Sequence, residues 1–306
     1  DAAKWTTEEK FVVADRFFLG EKDAETIALA AAVATHDQAF DALTKDGAAT
    51  LIAIEKPTPA FADVLKRGDY FARLERVEPT VPHFMSDLPA GSPRNRRGLA
   101  EWLLAPTQPL MARVTVNRMW QEVFGRGLVE SAGDFGIMGD RPSHPELLDW
   151  LAVEFRDGGW DVKTFYRLLV TSATYRQTAV ATPEHLAKDA SNKLLARGPR
   201  FRLTPEMIRD QMLAASGLLV ERQGGPAVRP HAPASSWDGG EGSGNLTNYT
   251  PATDDGLWRR GVYGIWKRTQ PPPGMVAFDA PSREFCSVRR LRTNTPLQAL
   301  TLLNDP

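Results

Sequence analysis

Arg113, Asn117 and Gln121 recur at intervals of four, so a helix carries them on one face, with Arg118 and Trp120 beside them. Guanidinium forks suit planar anions, which makes Arg113, Asn117, Arg118 and Trp120 candidates to grip a carboxylate or a sulfated sugar. The competing reading is an ion-pair network with Asp134, Asp140 or Glu146, all close in sequence. His144 stands at the start of the next helix, where the dipole favours a neutral imidazole, either catalytic or a ligand contact. A helix-start histidine that only packs is the alternative. A second polar cluster lies near the end of the chain: Asp279, Arg283, Glu284, Arg289, Arg290, Arg292 and Asn294. His144, Asp134 and Asp279 are the catalytic candidates, and Arg283 and Arg290 join the ligand-binding set. Both clusters are flanked by large apolar residues, so both should lie near the core. The expectation is that they meet in one polar cleft, with Arg118 close to Arg283 and an anionic ligand neutralising the excess guanidinium. A solvated basic loop is the rival for the second cluster. No metal site is expected. No second histidine lies at metal-ligand spacing from His144, and the chain's one cysteine, Cys286, excludes an internal disulfide and any multi-cysteine zinc site. Without a base nearby in sequence, Cys286 reads as a buried inert thiol.

These groups need elements to position them. The apolar spacing predicts a helix from about Met111 to Phe124, stopped by Gly125 and Gly127 as residues that tolerate positive φ. Ser143-His144-Pro145-Glu146 reads as a capping box, Ser143 the N-cap and Glu146 at N3, opening a helix to Arg156 with Leu147, Leu148, Trp150, Leu151 and Phe155 inward. The stretch from Asp134 to Asp140 reads as a loop that packs. Asn95 caps a short helix whose buried face is Leu99, Trp102 and Leu103. Asp161 caps another, Val180 to Ser191 is a solvated connection, and Thr204-Pro205-Glu206 starts a helix that buries Met207, Ile208 and Met212.

Further elements surround this centre. Thr6-Thr7-Glu8-Glu9 can open a first helix, and an alanine-rich helix runs from Asp23 to Lys45, suited to close helix packing. Leu51 to Ile54 and Asp63 to Leu65 have strand-like content, and Arg67-Gly68-Asp69 is a turn. Arg260 to Arg268 alternates like a strand, Pro271 to Pro273 forms a short polyproline segment, and Pro296 sits at N1 of a last helix. The long stretch from Gly224 to Gly256 carries Trp237 and Tyr249, rings on which sugars stack. Asn245-Leu246-Thr247 fits a glycosylation sequon, and Asp238 to Glu241 lacks the spacing of an EF-hand calcium loop. The fold expected is mainly α with small β pieces, a helical core with long irregular loops. Its parts are a helical segment with short strands over 1–78, a proline-rich linker over 79–94, and a main helical domain over 95–306, cut short at its C-terminus.

Composition narrows the function classes. Lys+Arg is 37 and Asp+Glu 38, so no global field argues for nucleic acid. No apolar run approaches the roughly 20 residues of a membrane span. No signal-peptide core, Walker loop, nucleophile elbow or dinucleotide fingerprint is present.

The chain resembles the C-terminal domain of planctomycete-type secreted proteins, a domain of unknown function that follows cytochrome c-like modules. The matching segments are Asn117-Arg118-Met119-Trp120, Phe124 to Val129, Asp134-Phe135-Gly136, Ser143 to Leu151, Thr171 to Gln177, Trp266 to Thr269, Phe278 to Glu284 and Arg292 to Leu300. The resemblance implies an exported protein, in the periplasm, cell envelope or outside the cell, with c-type haem in other modules of the parent. This chain lacks Cys-x-x-Cys-His and so holds no covalent haem itself. Two classes stay open. One is a module that acts on or binds a polysaccharide or oligosaccharide, with redox partner domains in the parent. The other is a non-catalytic scaffold of a cell-envelope assembly.

Overall fold

The computed structural model describes residues 6, 24–45, 51–55, 61–232, 249–268 and 271–304. These residues carry nine α-helices and one two-stranded sheet, so the chain is mainly α with small β pieces. It divides into two compact units, Asp1–Pro79 and Thr80–Pro306. The expected first helix from Thr6, Trp237, the 238–241 stretch and the 245–247 sequon lie outside the described residues, Thr6 apart.

In the first unit, helix α1 spans Ala24–Thr44, and its described side chains from 31 onward are exposed rather than packed on another helix. Strand β1, Ala62–Leu65, pairs antiparallel with β2, Arg73–Val77. Asp63 ties the two strands by accepting from Arg73 at 3.2 Å and Arg76 at 3.4 Å. Arg67 and Gly68 both take positive φ, so Arg67-Gly68-Asp69 is turn chemistry. Leu51 to Ile54 joins no sheet, because no described strand lies beside it to complete a ladder.

The second unit is helical. Residues 80–94 are irregular but anchored: the Trp102 indole donates to the Ser86 carbonyl at 2.7 Å. Helix α2, Arg96–Leu104, starts at Asn95, whose side chain accepts from the amides of Arg97 and Gly98. Trp102 is its buried residue, while Leu99, expected inward, is exposed. Helices α3, Leu110–Phe124, α4, Pro145–Asp157, and α5, Val162–Thr171, build the core around Val116, Trp120, Leu151, Phe155 and Leu169. Trp150 points outward, contrary to expectation. The buried stripe of α4 is Leu148, Leu151, Ala152 and Phe155, and a residue between those steps falls off it.

Helix α6, Pro183–Asp189, replaces the expected solvated connection. Its start repeats the Thr-Pro-Glu signal, with Thr182 accepting from the His185 amide at 3.2 Å. Helix α7, Pro205–Ala215, is capped by Thr204, as the spacing predicts. Its buried residues are Pro205 and Leu213; Met207 and Met212 are exposed. Asp210 sets this rotation, because its carboxylate takes the Gly261 amide at 2.6 Å and Arg260 at 2.7 Å. Arg260 to Arg268 is no strand. Gly261–Tyr263 forms a 3-10 turn, and only isolated bridging follows, with the Ile265 amide on the Val228 carbonyl at 2.8 Å. Helix α8, Pro273–Ala277, starts within the proline run, and α9, Pro296–Asn304, is the last. Among the described residues no helix is long and apolar enough to cross a membrane.

The rotation of α7 yields a test. Leu213→Ala should destabilise by roughly 2–5 kcal/mol in chemical denaturation, and Met207→Ala by well under half of that. The reverse order would contradict this orientation of α7.

Candidate functional site

The site is organised by one buried amide. Asn117 is fully buried on α3, donating to the Val129 carbonyl at 3.0 Å and accepting from the Val129 amide at 2.9 Å. It thus treats the loop after α3 as a strand would treat its neighbour. Gly125 ends α3 at φ 80, and a Cβ there would strike the Phe201 ring. Gly127 does not take positive φ, contrary to expectation. It is needed for close approach: a Cβ would lie 2.8 Å from Asn117 Nδ2 and 2.4 Å from the Val129 carbonyl. The Leu128 carbonyl then accepts from the Ser143 amide at 2.8 Å, which ties the start of α4 to the same loop.

Ser143 is not the N-cap. Pro145 occupies N1, so the cap position falls to His144, which makes no side-chain capping bond. Proline forces the residue before it out of the helical region, which places Ser143 one residue too early for the reciprocal cap with Glu146. The Ser143 hydroxyl instead lies 3.0 Å from His144 Nδ1.

Beside the locked loop opens a cleft of about 990 Å³. Trp120, stacked on Phe124 at 3.9 Å between ring centres, and Phe201 line its apolar side. Its cations are Arg126, Arg141, Lys193, Arg197 and Arg200, against Glu130 and Asp140. Arg126 pairs with Glu130. Arg197 is buried and spends its guanidinium on the carbonyls of Asp189 and Ala190, at 3.0 and 2.8 Å. The exposed side chains of Arg141, Lys193 and Arg200 have no ion-pair or hydrogen-bond partner among the described residues.

Of the residues expected to bind a ligand, only Trp120 lines this cleft. Asn117 has both polar atoms on Val129 and none left for a ligand. Arg113 is committed to Asp149 at 2.6 Å and to the Pro109 carbonyl, so its acid is neither Asp134, Asp140 nor Glu146. That bond holds the Asp149 carboxyl below its ordinary range. Arg118 is exposed and shares a separate cavity of about 230 Å³ with Arg290, which pairs with Glu206 at 2.6 Å. Arg283 lies over the Trp266 ring at 4.3 Å, in a third cavity. Arg118 and Arg290, one from each polar cluster, thus line one small cavity while Arg283 lines another, and Arg113, Arg290 and Arg292 are paired with Asp149, Glu206 and Glu122.

The catalytic candidates are also dispersed. Asp134 is exposed and closes its own loop by accepting from the Gly136 amide at 2.8 Å. In that loop Phe135 packs on the core, while Ile137 and Met138 are exposed. Asp279 accepts from the Thr293 amide at 2.7 Å and pairs with Arg202. Burial pushes its carboxyl up, but Thr293 and Arg202 outweigh this and hold it below the usual aspartate range. His144 is half-buried against Ser143. None of the three is hydrogen-bonded to another. Among the described residues no three His, Cys, Asp or Glu side chains group to hold a metal, and Cys286 is exposed rather than buried. Burial pushes the Tyr249 hydroxyl up to about 12, and it donates to the Pro230 carbonyl.

Sequence reasoning passed over Arg141, Lys193 and Arg200. A signal was present: Lys193, Arg197, Arg200 and Arg202 fall within residues 193–202, which contain no acid.

Fold and site together define a mainly helical domain with a basic cleft beside a side-chain-clamped loop. The chain belongs to the PSD1 family, described as a protein of unknown function (DUF1553), which matches residues 95–306. No curated protein and no solved structure matches the chain.

Asn117→Ala should cost about 2–4 kcal/mol in denaturant unfolding, since it strands the buried amide and carbonyl of Val129; a cost below about 0.5 kcal/mol would remove the lock. The Asp279 linkage has a definite sign. Its folded pKa is depressed, so its stabilisation is present above the ordinary aspartate range and lost as pH falls through the lowered value. Asp279→Asn, which tolerates the positive φ there, should be less stable at neutral pH and show a shallower acid limb. Parallel stability curves for the two proteins would contradict this.

Proposed function

We propose that this chain is an exported module that binds an anionic oligosaccharide, uronate-bearing or sulfated, in the cleft beside the Asn117-locked loop. The observation that carries this reading is the set of unpaired cations at one cleft, Arg141, Lys193 and Arg200. A guanidinium gives a carboxylate or sulfate two parallel hydrogen bonds, and a surface cation without an ion pair has none to break before it turns toward a ligand. The volume supports a ligand of several rings rather than an ion. Binding is favoured over catalysis because Asp279 is committed to Arg202 and Thr293, and Asp134 to its own loop. In the parent protein, c-type haem modules would be the redox partners of such a binding domain.

The second reading is a scaffold of a cell-envelope assembly. The exposed leucines of α9, Leu297, Leu300 and Leu303, favour it, since they repeat every three residues on one helix. A calorimetric titration with oligogalacturonate, a sulfated oligosaccharide and a neutral oligosaccharide separates the two. Only the anionic sugars should bind, more weakly as salt rises, and Arg141→Ala with Arg200→Ala should weaken them at least about tenfold. Equal affinity for charged and neutral sugars, or none for either, would leave the scaffold reading.

A further inference from the structure

The third cavity, of about 190 Å³, shares no lining residue with the basic cleft. Its wall is apolar and aromatic: Tyr249, Trp258, Trp266 and Phe278 contribute rings. Two polar features in it are left without partners. The Trp266 indole N–H is buried and has no acceptor among the described residues. A buried donor left unpaired costs free energy that a ligand oxygen would recover. Arg283 holds its guanidinium 4.3 Å from the centre of that same indole ring and makes no ion pair among the described residues. Its backbone takes φ 63, a conformation disfavoured for arginine. The carboxylate on the cavity wall, Glu206, is already paired with Arg290 at 2.6 Å. Among the described residues the cavity therefore offers the Arg283 cation and the Trp266 donor without partners, side by side on one tryptophan, while Arg209 on the same wall donates to the Leu257 carbonyl.

We infer that this cavity binds a small monocarboxylate carried on a single six-membered ring, the ring among the aromatic walls and the carboxylate between Arg283 and the Trp266 N–H. Size selects one ring: a dry protein cavity of about 150 Å³ accommodates benzene. Charge selects the anion, since Arg283 makes no ion pair among the described residues. The indole N–H gives the second oxygen a partner. The site is independent of the oligosaccharide reading.

The test is calorimetric titration of the whole chain with phenylacetate, with 2-phenylethanol as the neutral partner of equal ring and similar length. Phenylacetate should bind at least about tenfold more tightly than 2-phenylethanol. Arg283→Gln should remove that preference while leaving the alcohol's affinity unchanged. Trp266→Phe, which keeps a ring and deletes the donor, should weaken phenylacetate severalfold. Arg141→Ala with Arg200→Ala should leave phenylacetate binding intact, which separates this site from the basic cleft. Arg283 is exposed, so its variant should fold normally, and a melting curve checks this. No binding of either probe at millimolar concentration would overturn the proposal. So would equal affinities for the two probes, or a preference that survives Arg283→Gln.

Discussion

The architecture of the second unit turns on the double hydrogen bond between Asn117 and the backbone of Val129. An amide side chain carries one acceptor and two donors, so it can satisfy both backbone groups of one residue at once. Such a pair is strong only when dry, and Asn117 is fully buried. Its consequences radiate outward. Gly127 must lack a Cβ, because the amide fills that space. Leu128 and Val129 are drawn into the core, and the Leu128 carbonyl receives Ser143. The loop becomes a fixed wall, and the basic cleft is the space that wall bounds. A polar residue in the middle of the main core helix is thus the device that gives an irregular loop a unique position.

Charge in this fold is mostly consumed locally. Arg113 finds Asp149, Arg202 finds Asp279, Arg260 finds Asp210 and Arg290 finds Glu206. Each pair closes a contact between segments far apart in sequence. Such pairs stabilise little where solvent reaches them, but they fix orientation, as Asp210 does for α7. The arginines with the most obvious sequence context are therefore the ones least free to bind anything. The free cations come from a stretch with no acid, residues 193–202, and from Arg141. Proximity of acids in sequence was the observation that favoured an internal network for Arg113, and that network formed with a different acid.

What was legible in the chain was what is local. Asn95, Asp161 and Thr204 each cap the helix that follows, since a cap needs only its own next three residues. Gly125 ends α3 in the left-handed region for the same reason. The cap at Ser143 failed by one position because the proline behind His144 governs where the helix begins. Which way a helix faces was less legible. Trp150 and Met207 are apolar and near the right period, yet both face outward: Trp150 falls between the buried steps of α4, and Asp210 anchors α7 in its rotation. The alternation from Arg260 to Arg268 looked like a strand, but Gly261 must sit against Glu206 and Asp210, and among the described residues only isolated bridges, not a ladder, run alongside. The basic cleft was illegible as a unit, because its walls come from α3, the locked loop and the turns around α6.

Arg259 shows how the same fold handles a charge that makes no ion pair among the described residues. It is almost wholly buried, and its guanidinium donates to the carbonyls of Pro226, Arg222 and Gly224. The Tyr263 ring lies 3.8 Å below it, and the Tyr263 hydroxyl accepts from the Gly224 amide. Carbonyl dipoles and a ring quadrupole stand in for a counterion here. The arrangement wraps residues 222–226 around one side chain, as Asn117 wraps residues 127–129 around another. In both places a buried polar side chain organises backbone that belongs to neither helix nor sheet. That explains how the second unit, with no sheet among its described residues, keeps long irregular segments in fixed positions. Side chains on or beside the helices supply the hydrogen bonds that a sheet would otherwise provide, and the cavities form where such pinned loops meet the helices.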